Sequence, residues 1–332
     1  MASPAPDPAR PGEFALIARL FAPLAKGVPG AFALADDVAV LEPLAGHDVV
    51  LKTDSLIEGV HFLRDDPANM VAQKALRRAL SDLAAKGAAP SVYLLALALP
   101  SWPDMGWLEA FANGLAEDQE SFGISLAGGE TNATPGPLTI TVTALGQVPR
   151  GKLIRRLGAS PGDVVFVTGT IGDAGAGLAL ATHRDNAPGN AARDFLLSRY
   201  LLPLPRLSLG LALRGIASAA LDVSDGLLAD LAHIADVSQV RIEIDAADIP
   251  LSPALREMSG GNEAIARAAT AGDDYEIAFT ARPSKREAIH EVAARAGTAV
   301  TAIGRVRAGE GVVLLDEAGR EIPAARKGYT HF

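Results

Sequence analysis

The sequence predicts a two-domain protein of the α/β or α+β class. Patterns typical of strands and of helices mix along the whole chain, as they do in this class. The length of 332 residues is enough for two hydrophobic cores. A polar and basic stretch over 146–162 interrupts the patterns and indicates a joint. We therefore predict a disordered, Pro- and Ala-rich tail over 1–12, one domain over 13–148 and a second domain over 149–332.

The first half is predicted to begin with a helix over Glu13–Leu24, because apolar residues recur there at helical spacing. A second helix is predicted over Pro67–Lys86, where small and aliphatic residues share one face. The run Val92–Leu99 is continuously apolar and bounded by prolines, which predicts a buried strand. The other predicted elements of this half are strands at Val38–Leu41, Asp48–Thr53, Ile124–Leu126 and Leu138–Leu145, and a helix at Trp102–Phe122.

The second half is predicted to open with the β-branched strand Val164–Thr168. A Gly-rich turn follows and leads into a helix, and a Pro-rich segment occupies 201–210. The remaining predictions are strands at Ala219–Val223, Arg241–Ile244, 271–279, Thr298–Ile303 and Gly311–Leu315, and helices near Gly226–Ala235 and Lys285–Ala296.

Composition excludes several classes of function. The net charge of −9 argues against broad nucleic-acid binding, which needs a basic surface. The chain has no Cys, so disulfides and thiolate metal sites are excluded. The longest apolar stretch is far too short to span a bilayer, and the first residues do not resemble a secretory signal. We therefore expect a cytoplasmic protein without membrane or nucleic-acid partners.

Acidic residues occur in six segments that otherwise look buried. A buried carboxylate is costly unless it is paired or coordinates a metal, so these segments indicate a site that collects cations. Oxygen ligands without Cys favour Mg²⁺ or a similar ion. Because carboxylate-bound Mg²⁺ commonly carries substrate phosphates, the pattern predicts a phosphate-handling enzyme. The segments are 34–41, 51–62, 79–88, 126–131, 221–227 and 271–279.

The strongest local pattern is that of Asp222 and Asp225, which lie in a strand–turn–helix segment. An ordinary structural explanation is that Ser224 caps the helix and Asp225 complements the helix dipole. This explanation leaves out Asp222, which ends an apolar strand. A helix N-terminus also attracts phosphate, but two carboxylates would repel it unless a divalent cation intervened. The pattern therefore favours a metal site.

Ordinary explanations also fit the other acidic candidates. Asp82 could belong to a ladder with Arg78 and Lys86, worth ~0.3–0.5 kcal/mol per pair. Solvated turns account equally well for the acidic pair at 36–37 and better for the pair at 273–274. Asp54 ends a strand, which is where α/β proteins place ligands.

His61 lies between apolar neighbours, where a lone histidine is more often a core residue than a ligand. Arg155 and Arg156 could be surface charges or phosphate clamps beside the Gly-rich turn. There is no P-loop motif, and the glycines at 169–177 match dinucleotide binding only weakly. A kinase-like triplet at 183–185 and a hydrolase-like G-x-S-x-G match at 158–162 both lack their structural context.

Nine motifs occur in the order found in a known family. They are GEFALIARL, DDVAVL, KTDSLIEGVHF, LSDLAAKGAAP, GGET, RRLGASPGDVVFVTGTIGDAGAGL, LDVSDGL, GDDYEIAFT and KGYTHF. Together they resemble the thiamine-monophosphate kinases, over about residues 12–332. That family belongs to the ATP-binding superfamily of aminoimidazole ribonucleotide synthetase.

The resemblance implies transfer of the γ-phosphoryl group of ATP to thiamine monophosphate, giving thiamine diphosphate and ADP. It implies a fold like that of aminoimidazole ribonucleotide synthetase, with an N-terminal sheet domain that forms a homodimer interface and a C-terminal α/β domain. ATP and several Mg²⁺ ions would lie between the domains. The implied metal ligands are Asp36, Thr53, Asp54, Asp82, Glu130, Asp222 and Asp225. The implied ATP contacts are Gly129, Glu130, Arg156 and Ser224, and the implied substrate contacts are His61, Asp273 and Arg326.

The sequence departs from the family pattern at several of these places. Ala35 replaces the Gly of a common GDD motif, and Glu130 replaces the Asp of GGD. Asp273 stands where many members have Glu, and Arg326 stands where many have an aromatic residue. These changes put individual substrate and metal contacts in question without removing the carboxylate set.

Three other functions are weighed against the kinase. Another synthetase of the superfamily would act on a ribonucleotide amide or on selenide, but the thiamine-type motifs and the lack of Cys count against it. A nucleotide sensor would bind ATP and metal without turnover, which the departures above would suit. A nicotinamide dehydrogenase would need a dinucleotide motif that the chain lacks.

Overall fold

The computed structural model describes residues 12–183, 190–258, 262–323 and 328. The chain divides into two compact units. The first contains the chain up to Leu83 together with Ala89–Arg150, and the second contains Ala84–Ala88 and the chain from Gly151 onward. The tail over 1–12 lies outside the described residues except for Gly12. The domain ranges drawn from the sequence stay a prediction.

The first unit is built on a four-stranded sheet in the order β1-β4-β2-β3. Strand β4 pairs antiparallel with β1 and β2, whereas β2 and β3 are parallel. The strands are β1 (His47–Ile57), β2 (Ala89–Leu99), β3 (Ser125–Ala133) and β4 (Thr139–Pro149). The long β1–β4 register runs from the pair His47 and Pro149 to the pair Ile57 and Thr139.

Helical segments precede and connect the strands of this sheet, and the N-terminal turns pack against Val92, Ala127 and Leu145. The chain starts with α1 (Glu13–Leu16), a π-helical turn (Ile17–Phe21) and 3₁₀ turns (Ala22–Ala25, Pro29–Leu34), and continues with the longer helices α2 (Ala68–Ala85) and α3 (Met105–Phe122). Helices α2 and α3 lie so close together that a Cβ at Gly114 would be 2.2 Å from the carbonyl oxygen of Asn69. Buried Asp118 on α3 binds Arg77 on α2 at 2.8 Å and so joins the two helices.

The second unit is built on a six-stranded sheet in the order β10-β7-β9-β5-β8-β6. Only the pair of β7 and β10 is parallel among the strand pairs of the described residues in this sheet. The strands are β5 (Val164–Thr168), β6 (Ala219–Asp222), β7 (Arg241–Asp245), β8 (Ile277–Ala281), β9 (Val300–Arg307) and β10 (Gly311–Leu315).

Seven helices of the described residues accompany the second sheet. They are α4 (Asp173–Thr182), α5 (Ala191–Leu201), α6 (Leu207–Ala212), α7 (Leu227–Ser238), α8 (Pro253–Met258), α9 (Asn262–Thr270) and α10 (Arg286–Ala296). Helix α7 supplies Leu231 and Ile234 to the main core, where they meet Val165 and Ile242 of the sheet. All four of these side chains are fully buried.

The mixed α/β architecture confirms the predicted fold class, but some elements differ. The strand predicted at Val38–Leu41 is wrong: these residues are in no strand, and Val38 and Val40 are 63% and 61% exposed. Strand β3 is longer than predicted and carries the Gly-Gly-Glu motif within it. Helices α5, α6, α8 and α9 were not predicted, and α6 begins directly after the prolines of the 201–210 segment. Each helix in the described ranges is too short or too polar to cross a bilayer.

Candidate active site

In the first unit, Asp54 and Asp82 share a cation. The ammonium group of Lys52 lies 3.4 Å from Asp54 and 2.7 Å from Asp82. Lys52 and Asp54 alternate with outward residues of β1, so both face α2, which carries Asp82. Asp54 and Asp82 thus share a cationic partner that was not predicted, and their role as metal ligands stays a prediction.

The environment of Asp54 suits a bound cation. Burial and then the nearby charge of Asp82 raise the pKa of Asp54, against the lowering effect of Lys52. Bringing a positive charge between two half-buried carboxylates relieves their repulsion, and Lys52 does this here. Two carboxylates that already bind one cation form a donor set that fits Mg²⁺.

Thr53 points away from this pair. Its hydroxyl group lies 3.0 Å from that of Thr143 on β4, on the face of the sheet opposite Asp54. The side chains of Thr53 and Asp54 therefore do not converge. If Thr53 binds an ion at Asp54, it would do so through the Thr53 backbone carbonyl group and not through the side chain.

The same outer face of the sheet carries a cavity of about 780 Å³. Asp36, Gly129 and Glu130 line it, and so does Thr143. Asp36 accepts a hydrogen bond from the backbone N–H of Asp37 at 2.7 Å, and Glu130 accepts one from Thr131 at 3.0 Å. The structure thus brings together three of the predicted site residues of the first unit in one cavity with a mostly apolar floor.

Gly129 is required by the sheet itself. A Cβ atom at this position would lie 1.8 Å from the carbonyl oxygen of Leu95, whereas a Cβ at Gly128 would meet only the flexible end of Leu94 at 3.3 Å. We expect Gly129→Ala to destabilise the first unit by about 1–3 kcal/mol, because β3 must move away from β2. Gly128→Ala is the matched control and should stay close to wild type. Equal melting temperatures of the two variants would contradict this explanation.

His61 lies in a turn that follows β1. Its Nδ1 accepts a hydrogen bond from the backbone N–H of Ile57 at 3.0 Å, so the proton of the neutral ring is on Nε2. Glu58 fastens the same turn, since its carboxylate accepts bonds from the Trp102 indole at 3.1 Å and from the Leu138 N–H at 3.2 Å. A neutral imidazole with an Nε2 donor is suited to a phosphate oxygen.

In the second unit, Asp222 ends β6 as predicted and is only 6% exposed. The ordinary explanation, in which Ser224 caps the helix, does not hold, because α7 begins at Leu227 and Gly226 is its N-cap residue. Gly226 has a φ of 123°, which favours glycine, and this turn carries the chain from β6 to the helix.

Asp230 holds the turn from inside the helix. One of its carboxylate oxygens accepts the backbone N–H groups of Ser224, Asp225 and Gly226 at 2.9, 3.0 and 3.1 Å. Burial raises the pKa of Asp230 to about 7, with the N–H groups opposing and Asp225 adding to the rise. Because these three N–H groups point at Asp230, they are not available to a phosphate. The turn instead presents the side chains of Asp225 and Ser224, which are partly exposed.

The segment before β8 is bound to this turn. Asp273 N–H donates to the Ser224 carbonyl oxygen and Tyr275 N–H to that of Val223, both at 2.8 Å. Gly272 approaches so closely that a Cβ there would lie 2.5 Å from the Ser224 oxygen. Residues predicted for metal, ATP and acceptor substrate therefore lie next to one another within the second unit.

Two buried acids anchor the same segment. Asp274 accepts the N–H groups of Gly172 and Ala174 at the start of α4, at 2.6 and 3.2 Å. Burial raises the pKa of Asp274 to about 8 against the lowering effect of these bonds. Glu276 binds Arg199 at 2.8 Å and the Arg206 Nε at 2.7 Å. Although burial opposes the charged form, the hydrogen bonds and charge of Glu276 leave the pKa of Arg206 above its ordinary value.

Arg155 and Arg156 line a shallow cavity of about 390 Å³ with Lys86. Lys86 itself donates to the Ala220 carbonyl oxygen at 2.6 Å, so its ammonium group supports β6. Both arginines are exposed, so an anion could reach them from solvent.

Some predictions are left without structural detail. Arg326 lies outside the described residues. Within the part of the chain that the structure describes, no three carboxylate or imidazole groups come close enough to form a complete metal cage. Asp54 and Asp82 share Lys52, and Asp36 and Glu130 line one cavity, while the metal set itself stays a prediction.

Three residues of the site were missed in the sequence: Asp230, Arg199 and Glu276. A signal for Asp230 existed, since it is an acidic residue in the first turn of α7, where negative charge is favourable. The sequence also offered a signal for Glu276, because this acid of the AGDDYE motif lies next to an apolar strand and is therefore expected to be buried. Arg199 had no such signal, because its partner is 77 positions away in the chain.

The fold and the site define a class of protein. The chain matches the model of the AIR synthase related protein N-terminal domain over residues 35–148 and that of the C-terminal domain over 160–317. Both domains of this class are thus present in the expected order.

Full-length relatives narrow the class. The thiamine-monophosphate kinase of Caulobacter vibrioides is 45% identical over 98% of this chain and 93% of its own. The crystal structure of the Stenotrophomonas maltophilia enzyme of that name is 43% identical, with a TM-score of 0.80 over 87% of this chain and 91% of the other. The chain belongs to the thiamine-monophosphate kinase family. A further solved structure, AaThiL complexed with AMPPCP and TMP, is 34% identical, with a TM-score of 0.78 over 97% of both chains.

Proposed function

We propose that this protein transfers the γ-phosphoryl group of ATP to thiamine monophosphate, giving thiamine diphosphate and ADP, the last step of thiamine diphosphate biosynthesis. The observation that carries the proposal is the full-length similarity to thiamine-monophosphate kinases, one of which is 45% identical. The similar solved structure that is complexed with AMPPCP and TMP supports the choice of both substrates. The carboxylate sets of the two units supply the donor chemistry that such a reaction needs.

We assign roles to the side chains from the family resemblance, and the geometry of each unit supports some of them. Asp54 and Asp82 already share a cation, and Asp222 and Asp225 flank a rigid turn, so both pairs are suited to Mg²⁺. Asp36, Glu130 and the backbone of Thr53 complete the proposed ligands. Gly129, Glu130, Arg156 and Ser224 are the proposed ATP contacts. His61 and Asp273 are the proposed contacts of thiamine monophosphate, together with Arg326.

The acceptor needs little activation by the protein. The second pKa of a phosphate monoester is about 6, so the attacking oxygen is mostly ionised at pH 7. The main difficulty is the repulsion between two polyanions, which cationic groups must neutralise. Bound Mg²⁺ would supply this neutralisation and align the phosphates. The proposed chemistry is therefore direct in-line transfer without a phospho-enzyme.

The proposed activity is tested with the purified protein, ATP, Mg²⁺ and thiamine monophosphate. We expect thiamine diphosphate and ADP to form in equal amounts, and chelation of the metal with EDTA to stop the reaction. Thiamine without phosphate is the matched control and should give no diphosphate. ATP binding without product would favour a nucleotide sensor instead and would contradict the proposal.

We also propose that two copies of the chain associate through the outer face of the first sheet. Val49, Leu51 and Leu94 on this face are 46%, 67% and 40% exposed, and such apolar side chains are typical of an interface. Val38, which lines the cavity on this face, is 63% exposed. The location in the cytoplasm stays a prediction from the sequence.

The dimer is tested by light scattering coupled to size-exclusion chromatography. The chain has a mass of 34.2 kDa, so we expect twice this value for the wild type. Leu51→Glu places a charge in the proposed interface and should give the monomer mass. Leu178→Glu is the matched control, because Leu178 is also exposed but lies in the second unit. A monomeric wild type would contradict the dimer.

A further inference from the structure

The segment between Gly272 and Glu276 has an unusual backbone. Asp273 and Tyr275 have φ values of 69° and 51°, in the left-handed region. Asp tolerates this conformation, whereas it is a true outlier for a bulky residue such as Tyr. Conformations of this kind persist only where the surroundings enforce them, and they concentrate at functional sites. The left-handed backbone of Tyr275 therefore indicates a functional role for this residue.

The backbone turn brings two side chains of this segment together. The hydroxyl group of Tyr275 donates a hydrogen bond to Oδ1 of Asp273 at 3.0 Å. Tyr275 is only 2% exposed, so its ring delivers this hydroxyl from a fixed position. Asp273 is half-buried, and its carboxylate is at the border between the protein and solvent.

The segment cannot easily turn away from this arrangement. The N–H groups of both residues bind the 223–224 backbone at 2.8 Å. Between them, the carboxylate of Asp274 is held by Gly172 and Ala174. The residue after Tyr275 is Glu276, whose carboxylate binds two arginines. The Tyr275 hydroxyl is thus presented by a backbone that is fixed on both sides.

We propose that Tyr275 is a positioning residue for the acceptor substrate, and that its hydroxyl holds the Asp273 carboxylate in one orientation. The proposal rests on the proposed function, since it takes Asp273 as a contact of thiamine monophosphate. A carboxylate repels the phosphate of this substrate and attracts its thiazolium cation. A carboxylate that is ordered before binding costs less entropy when the substrate arrives.

A merely structural role of Tyr275 must be separated from this one. The variant Tyr275→Phe keeps the buried ring and removes only the hydroxyl group. We expect the KM for thiamine monophosphate to rise roughly tenfold, with kcat and the KM for ATP unchanged. Tyr93→Phe is the matched control, because Tyr93 is fully buried in the first unit and its hydroxyl accepts a bond from Gln119 at 2.9 Å. It should lower the melting temperature without changing either KM.

A double-variant cycle tests whether Tyr275 acts through Asp273. Asp273→Ala alone should raise the KM for thiamine monophosphate, and adding Tyr275→Phe to it should have no further effect. Additive effects, or an unchanged KM in Tyr275→Phe, would overturn the positioning role while leaving the kinase activity of the wild type in place. A wild type that makes no thiamine diphosphate would overturn the proposed function and this inference together.

Discussion

Asp222→Asn is expected to reduce phosphoryl transfer by about 10²- to 10³-fold, the scale on which preorganised charge acts in catalysis. Asp222 is only 6% exposed at the end of β6, and Asn has nearly the same shape, so the fold should remain. What is lost is one negative charge of the proposed metal set. The rate is measured as thiamine diphosphate formed at saturating ATP and Mg²⁺, and the fold by circular dichroism.

The matched control for this variant is Asp236→Asn. Asp236 belongs to α7 in the same unit but is exposed, and it loses the same charge. Its rate should stay within about twofold of the wild type, because exposed charges interact weakly across solvent. Near-normal activity of Asp222→Asn would remove Asp222 from the proposed metal ligands.

Glu276→Gln is expected to destabilise the second unit by about 3–5 kcal/mol, because two buried arginine contacts lose their counter-charge. The Glu276 side chain is fully buried, and Arg199 and Arg206 are 5% and 19% exposed. For a unit of this size the loss corresponds to a fall in melting temperature of about 10 °C. Differential scanning calorimetry measures the shift.

Glu243→Gln provides the comparison for this effect. Glu243 on β7 also binds arginines, Arg305 at 2.9 Å and Arg307 at 3.5 Å, but these are 42% and 56% exposed. Solvent screens such pairs, so the expected loss is below about 1 kcal/mol. If both variants melted at the same temperature, the Glu276 contacts would not be the anchor that we describe.

Much of the fold could be predicted from local sequence patterns. The apolar run of β2 and the β-branched run of β5 each correspond to a strand, because a continuous apolar segment of that length must be buried. The strand predicted at Val38–Leu41 shows the limit of this reasoning. Its residues have strand-like composition, but within the described residues they pair with no strand, and the Val40 N–H donates to the Gly30 carbonyl oxygen at 2.8 Å instead.

The candidate site was predicted in part. Asp222 and Asp225 could be identified from their place between a strand and a helix. The partners of Glu276 could not, because Arg199 and Arg206 are 77 and 70 positions away and only the folded chain brings them near. The role of Asp230 depends on the direction of three N–H groups, which spacing alone does not define.

The proposed function is transfer of the γ-phosphoryl group of ATP onto thiamine monophosphate. The most direct measurement follows radioactive phosphorus from the γ-position of ATP after incubation with thiamine monophosphate and Mg²⁺. We expect the label to appear in thiamine diphosphate, at a rate that Asp222→Asn sharply lowers. Label found only in inorganic phosphate, or remaining in ATP while ATP binds normally, would contradict the proposed function.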